Sequence, residues 1–381
     1  FMVIWMQWVY NIVWYPTILS FISSAFAYLI NSQQASSPSY LFFTTVAIFW
    51  LTTLANLYGM RVSSLISAFG AIIGTLIPIF FIIGLAVYWY ISGYPLAITP
   101  SWHSFFPQSS DFSSLVFFTG ILFGLVGMEM SAVHAGDVQN PQRDYPKALL
   151  YSTVIIFTTL MFGSLAVAMV VPHEKLNLVT GFIDAFSAFF SALHIEWMLP
   201  FTVLMVIIGG ISSVSAWVLG PSKGLMVSAE DDCLPKVFFK VNRYGAPSVI
   251  LITQAVLFTL LSSLFFLNKN INHTYWMLSA LTEQLAMAVY ILMFLAAIYL
   301  RVKRSEVKRA FTIPGSNIVL FIVAGLGIFS CTVAIVLGFI PPSDFQLTPE
   351  EKQRFLQFIC LGLLILIVIP LLYVSWRQRK K

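Results

Sequence analysis

The chain has 381 residues, 59% of them hydrophobic and only 9% charged, against about 25% charged in an ordinary soluble domain. That composition excludes a water-soluble globular protein and implies a polytopic membrane protein. The net charge of +5 does not point to nucleic acid, because the bases collect in loops between apolar runs. Cys233, Cys331 and Cys360 are scattered and have the spacing of neither a zinc site nor a redox pair. No HExxH, GxSxG or paired intramembrane Asp is present, so no metal, no cofactor and no enzymatic activity is expected, and no filter-like loop or charge ring favours a channel.

Ten apolar runs are long enough to cross a bilayer as helices: residues 2–30, 41–59, 66–91, 114–136, 149–171, 197–220, 247–267, 275–300, 316–340 and 356–376. Turn-rich segments such as "NSQQASSPS" and "IPPSDFQLTPEE" separate them. The chain starts at Phe1, already inside the first run and with no basic n-region before it. The expectation is a chain whose natural N-terminus lies upstream.

Lys and Arg set the orientation, since they collect on the cytoplasmic side. With ten spans, one side holds Arg61, Arg143, Lys147, Lys223, Lys236, Lys240, Arg243, the Arg301–Arg309 group and the tail from Arg377 to Lys381. The other side holds only Lys175, Lys269, Lys352 and Arg354. Both ends are therefore expected in the cytoplasm, with a cytoplasmic loop at 221–246 and a short basic tail at 377–381.

Charges at membrane depth cost about 2.5–3.5 kcal/mol on the insertion scale, and few occur. The fourth run, "GILFGLVGMEMSAVHAGDV", carries Gly120, Gly124, Gly127, Glu129 and His134. Glycine costs about 1 kcal/mol relative to alanine in a helix, so Gly124-Leu125-Val126-Gly127 invites local unwinding. There, free backbone groups become ligands. A small-residue packing face through Gly120 and Gly124 and a mere kink remain alternatives. His134 suits a proton relay or a satisfied helix end. Glu283, in "LSALTEQLAMAVY" of the eighth run, suits a protonated, paired or water-facing acid, proton coupling included.

The segment "GMEMSAVHAGDVQNPQRDYPKA" resembles the sixth-helix signature of amino-acid permeases of the amino acid–polyamine–organocation superfamily. The matching residues are Phe123, the Gly124–Met128 break, Gly127 with Glu129, and Asn140-Pro141 with Arg143 and Pro146. "SAWVLGPSKGLMVSAEDDCLPKVFFKVNRYGAPSVILITQ" and "KRAFTIPGSN" follow in order. Within that superfamily the chain looks like the glutamate/γ-aminobutyrate antiporter branch, sharing "RDYP", the "IEW" of Ile195–Trp197, the "GPSKG" turn and "KRxFxIPG". The resemblance implies an all-α membrane protein with a LeuT-type inverted-repeat fold, the ten runs corresponding to helices three to twelve of twelve, in one transporter domain over 1–381.

The resemblance also implies roles. Phe123 matches an aromatic gate, and the backbone of Gly124, Leu125, Val126 and Gly127 would face the substrate head group. Glu129 matches the acid that links the break to gating. Trp217 matches a tryptophan packed on the substrate side chain, its alternative being an interfacial belt residue. Two departures stand out. The antiporter's acid four residues before that tryptophan is Ser213 here, and a tail too short for its pH-responsive plug is expected. Glu283 falls where look-alikes carry a small or apolar residue. The expected function is alternating-access amino-acid transport in a bacterial inner membrane, as an antiporter, a proton-coupled symporter or a non-transporting sensor on the same fold. The partners are an amino-acid substrate and the lipid bilayer; protons and homodimerisation are left open.

Overall fold

A computed structural model describes residues 1–98, 114–130, 138–230, 234–267, 271–307, 313, 315–342 and 347–378. All regular structure among them is helical: α1 (Met2–Ile30), α2 (Pro38–Asn56), α3 (Met60–Gly70), α4 (Ile77–Ile91), α5 (Phe117–Gly124), α6 (Pro141–Val170), α7 (Gly181–Ala192), α8 (Leu199–Glu230), α9 (Ser248–Ser262), α10 (Leu264–Leu267), α11 (Ile271–Lys303), α12 (Asn317–Leu337), α13 (Pro349–Leu363) and α14 (Ile369–Gln378). Among the described residues nine helical stretches are long and apolar enough to cross a membrane. They correspond to nine of the ten expected runs. The exception is 114–136, where α5 stops at Gly124 instead of continuing as one span. Residues 221–230, expected in the loop 221–246, continue α8 as far as Glu230.

The chain divides into two units. The first contains Phe1–Tyr10, Pro107–Val154 and Ser279–Lys381, and the second Asn11–Phe106 and Ile155–Leu278.

In the second unit, prolines and glycines decide how the helices meet. Pro78 has no N–H to give the carbonyl of Gly74, four residues back, and the backbone there widens into a π turn, Ala71–Leu76. A Cβ on Gly74 would lie 2.1 Å from the backbone nitrogen of Gly209, so the α3–α4 segment and α8 touch backbone to backbone. Pro221 of α8 likewise leaves the carbonyl of Trp217 without its helical donor, and the buried hydroxyl of Tyr15 donates to that carbonyl at 2.9 Å. The Tyr15 ring packs on Phe49 at 4.8 Å, and Phe49 stacks on Phe258 at 4.1 Å. Tyr15→Phe keeps this packing and removes the donor. It is expected to destabilise the protein by about 1–3 kcal/mol, the cost of an unsatisfied buried carbonyl. Thermal unfolding of the purified variant checks this; an unshifted midpoint would mean another donor reaches Trp217.

Helix α7 was not expected from the sequence, because its twelve residues are too short to cross a bilayer. It is held by packing. Phe186, Phe189 and Phe190 bury almost completely with Trp89, Ala166 and Met169, and Trp89 stacks on Tyr94 at 4.5 Å. Its Asp184 accepts hydrogen bonds from the Tyr28 hydroxyl and, at 2.7 Å, from Thr180.

In the first unit, α5 packs against α12. The last span starts with a capping box: the Thr348 hydroxyl accepts from the Glu351 amide at 3.3 Å, while the Thr348 amide donates to the Glu351 carboxylate at 2.8 Å. The sequence "TPEE", expected in a loop, is thus the helix start. Further on, Pro370 cannot donate to the Leu366 carbonyl, a second π turn forms at Leu364–Val368, and Trp5 Nε1 donates to Leu366 at 3.1 Å. Small residues again let helices close up: a Cβ on Gly362 would meet Leu281, and one on Gly327 the ring of Phe294. Phe321, Leu326, Phe329, Leu361 and Leu372 are exposed apolar side chains, as expected of faces that meet lipid.

Candidate functional site

The expected break is present and its geometry is local. After Gly124 the helical i→i−4 ladder stops. Leu125 and Val126 donate to carbonyls three residues back, at 3.1 and 3.0 Å. Gly127 then takes φ +124°, a conformation open to glycine and strained for other residues. A short 3-10 turn follows at 128–130, with the Met130 amide donating to the Gly127 carbonyl at 3.1 Å. The backbone from 124 to 130 therefore leaves groups at the C-terminal end of α5 without helical partners. Carbonyls there carry the negative end of a half-helix dipole.

Glu129 closes this break. Its Oε2 accepts from its own segment, the Gly127 amide at 3.0 Å, and from the Tyr290 hydroxyl at 2.5 Å. Its Oε1 accepts from Gln7 Nε2 at 3.3 Å and from the Tyr10 hydroxyl at 3.4 Å. Gln7 and Tyr10 are buried, at 6% and 2% exposure. One carboxylate thus ties together the start of α1, the broken segment and the middle of α11, all within the first unit. Hydrogen bonds to a charged acceptor are about twice as strong as neutral ones, which makes this acid a latch.

Gln7, Tyr10 and Tyr290 carry no charge, so they do not stand out from the apolar runs as Glu129 does. A signal existed: Gln7 and Tyr10 lie three residues apart, hence on one helix face, in an otherwise apolar run. Tyr290 lies two helical turns after Glu283.

Glu283 is 4% exposed. It packs against α5 ahead of the break, where a Cβ on Gly120 would stand 3.6 Å from its Oε1. Gly120, for which a helix-packing role was the alternative reading, thus faces an acid. Phe123, Leu125 and Val126 are partly buried, and Gly124 is exposed. Ser213 and Trp217 belong to the second unit, where both are partly buried. The Trp217 ring meets Trp14 edge-on at 6.0 Å. His134 lies outside the described residues.

A family model described as amino acid permease matches residues 1–369. The chain belongs to the amino acid permease family. Similar proteins include an uncharacterized transporter of Legionella pneumophila, 47% identical over 98% of this chain and 80% of its own length. A glutamate/gamma-aminobutyrate antiporter of Lactococcus lactis is 28% identical over 100% of this chain and 76% of its own. A probable agmatine/putrescine antiporter of the same species is 22% identical over 97% of this chain and 78% of its own. The permease is thus a multi-pass membrane protein of the amino acid–polyamine–organocation superfamily, built from membrane-crossing helices and a broken one.

Proposed function

We propose that this permease is an antiporter that exchanges an amino acid for a related amino acid or its decarboxylated amine. The observation that carries the reading is the broken α5 segment with Glu129 latched across it by Gln7, Tyr10, Tyr290 and the Gly127 amide. The freed carbonyls at the end of α5 present negative partial charge to an ammonium group. Glutamate, γ-aminobutyrate, agmatine and putrescine, named for the relatives, all carry one.

In the proposed cycle the substrate ammonium docks at the backbone of Gly124, Leu125, Val126 and Gly127. Phe123 closes over it. Movement of the break then requires the Glu129 carboxylate to let go of α1 or α11, so binding energy at the backbone is converted into gating. Ser213 and Trp217 are assigned to substrate contact on resemblance alone. Both ends of the chain face the cytoplasm of a bacterial cell, following the Lys and Arg distribution.

Counterflow tests the reading. Proteoliposomes of the full-length protein, loaded with one unlabelled amino acid or amine from a panel, should take up the labelled partner at least about tenfold faster than empty ones. Saturable binding without flux would identify a sensor and overturn the transport reading. Uptake that ignores the internal solute would replace exchange with symport.

A further inference from the structure

Glu283 has no role in the exchange step just described, yet it is among the most buried acids of the described residues. Its Oε2 is shielded from solvent and has no hydrogen-bond partner. Its other oxygen faces α5 beside Gly120, the residue after Thr119. Thr119 is itself 1% exposed, and its hydroxyl donates to the Val116 carbonyl at 2.8 Å. A carbonyl can only accept, so the single Thr119 proton is committed there. What remains on that oxygen is acceptor capacity. A carboxylic acid has a proton to give such an acceptor, and a carboxylate has none.

The surroundings point the same way. Within its described residues α5 carries no titratable side chain, and α12, packed against α5, offers only Cys331. The neighbours on α11 are Thr282 and Gln284, both buried and uncharged. Among the described residues a second buried-segment acid, Glu129, is held by Tyr290 two turns further on. Among the described residues no cation pairs with Glu283, and a buried carboxyl without one takes the neutral form. An amine or a metal cation needs a cavity at the oxygen, and Oε2 is covered. A proton needs none.

From this geometry we infer that Glu283 is a proton-binding site, loaded in the conformation described and discharged to water when α5 leaves α11. Residues 283 and 290 lie seven apart, hence on one face of α11. Glu283 touches the helical part of the broken segment, and Tyr290 holds the acid after the break. Glu283 Oε1 faces α5 at Gly120, so movement of α5 away from α11 would uncover the carboxyl to water, and proton release and movement of the break are tied together. Coupling of exchange to protons follows, and this rests on the transport reading above.

The test compares wild type, Glu283→Gln and Thr119→Val in the full-length protein. In pH-difference infrared spectra of the purified protein, wild type should show a buried carboxylic C=O band that Glu283→Gln lacks and that Thr119→Val shifts by removing its acceptor. In proteoliposomes, wild-type exchange should vary by up to about tenfold per pH unit along one limb of its profile, and Glu283→Gln should be flat to within about twofold. An infrared band unchanged in Glu283→Gln, or an exchange profile identical to wild type, overturns the inference. A Glu283→Gln variant that keeps the wild-type profile but loses affinity for one amine substrate also overturns it, by making Glu283 a substrate ligand. Absence of exchange by wild type at every pH defeats the transport reading instead, and leaves the infrared result to decide the proton site.

Discussion

Replacing Glu129 with glutamine is expected to slow exchange by roughly ten- to a hundredfold while leaving insertion and folding intact. The carboxylate accepts from four donors, and an amide has a single acceptor oxygen. Whichever way the glutamine turns, one pair of donors faces its NH2 group and is left without an acceptor. Losing even one bond to a charged acceptor, about 1.5–3 kcal/mol, shifts the latched-to-open equilibrium by roughly ten- to a hundredfold, so fewer molecules rest in the conformation that binds substrate. Tyr290→Phe should produce a smaller loss, since one donor is removed and the charge remains. Because both changes act on the same contact, the double variant should be little worse than Glu129→Gln alone. Exchange rates measured in proteoliposomes at equal protein content check this. An unchanged rate for Glu129→Gln removes the latch from the mechanism, and strictly additive losses would place Tyr290 in some other role.

Much of this arrangement was legible in the sequence, and the reasons it was incomplete are physical. Span count and order follow from apolar length, which depends on composition alone. The break at Gly124–Gly127 could be placed because glycine weakens a helix wherever it sits. That Glu129 is the acid at the break was readable as well, since charge at membrane depth demands a partner. The identity of that partner was not. Gln7, Tyr10 and Tyr290 are far from Glu129 in sequence, and tyrosine in an apolar helix usually means packing or an interfacial anchor. Helix α7 escaped for a different reason: its phenylalanines bury against Trp89 and Met169, a tertiary contact that no local period encodes. The proline-freed carbonyls of Trp217 and Leu366 were predictable as sites of need. Only the structure supplied Tyr15 and Trp5 as the donors.

Gly127→Ala is expected to abolish most exchange, at least about tenfold, and to do so through the same latch. At φ +124° a side chain is strained by about 1–3 kcal/mol. Alanine can relieve that strain by rotating toward helical φ, where it is also favoured over glycine by about 1 kcal/mol. Both terms push the segment toward a continuous helix. That rotation withdraws the residue-127 amide from Glu129 Oε2, now 3.0 Å away, and pairs the carbonyls that the break had freed. The substrate-facing backbone and one donor of the latch are lost together, although no substrate-touching side chain has changed. Gly325→Ala provides the control: Gly325 lies inside helix α12 with nothing within 4 Å of an added Cβ, so exchange there should change by less than about twofold. Gly127→Ala added to Glu129→Gln should cost little more than either alone as far as the shared contact goes. An inserted Gly127→Ala protein that exchanges at the wild-type rate would show that the positive φ is dispensable, and the broken helix with it.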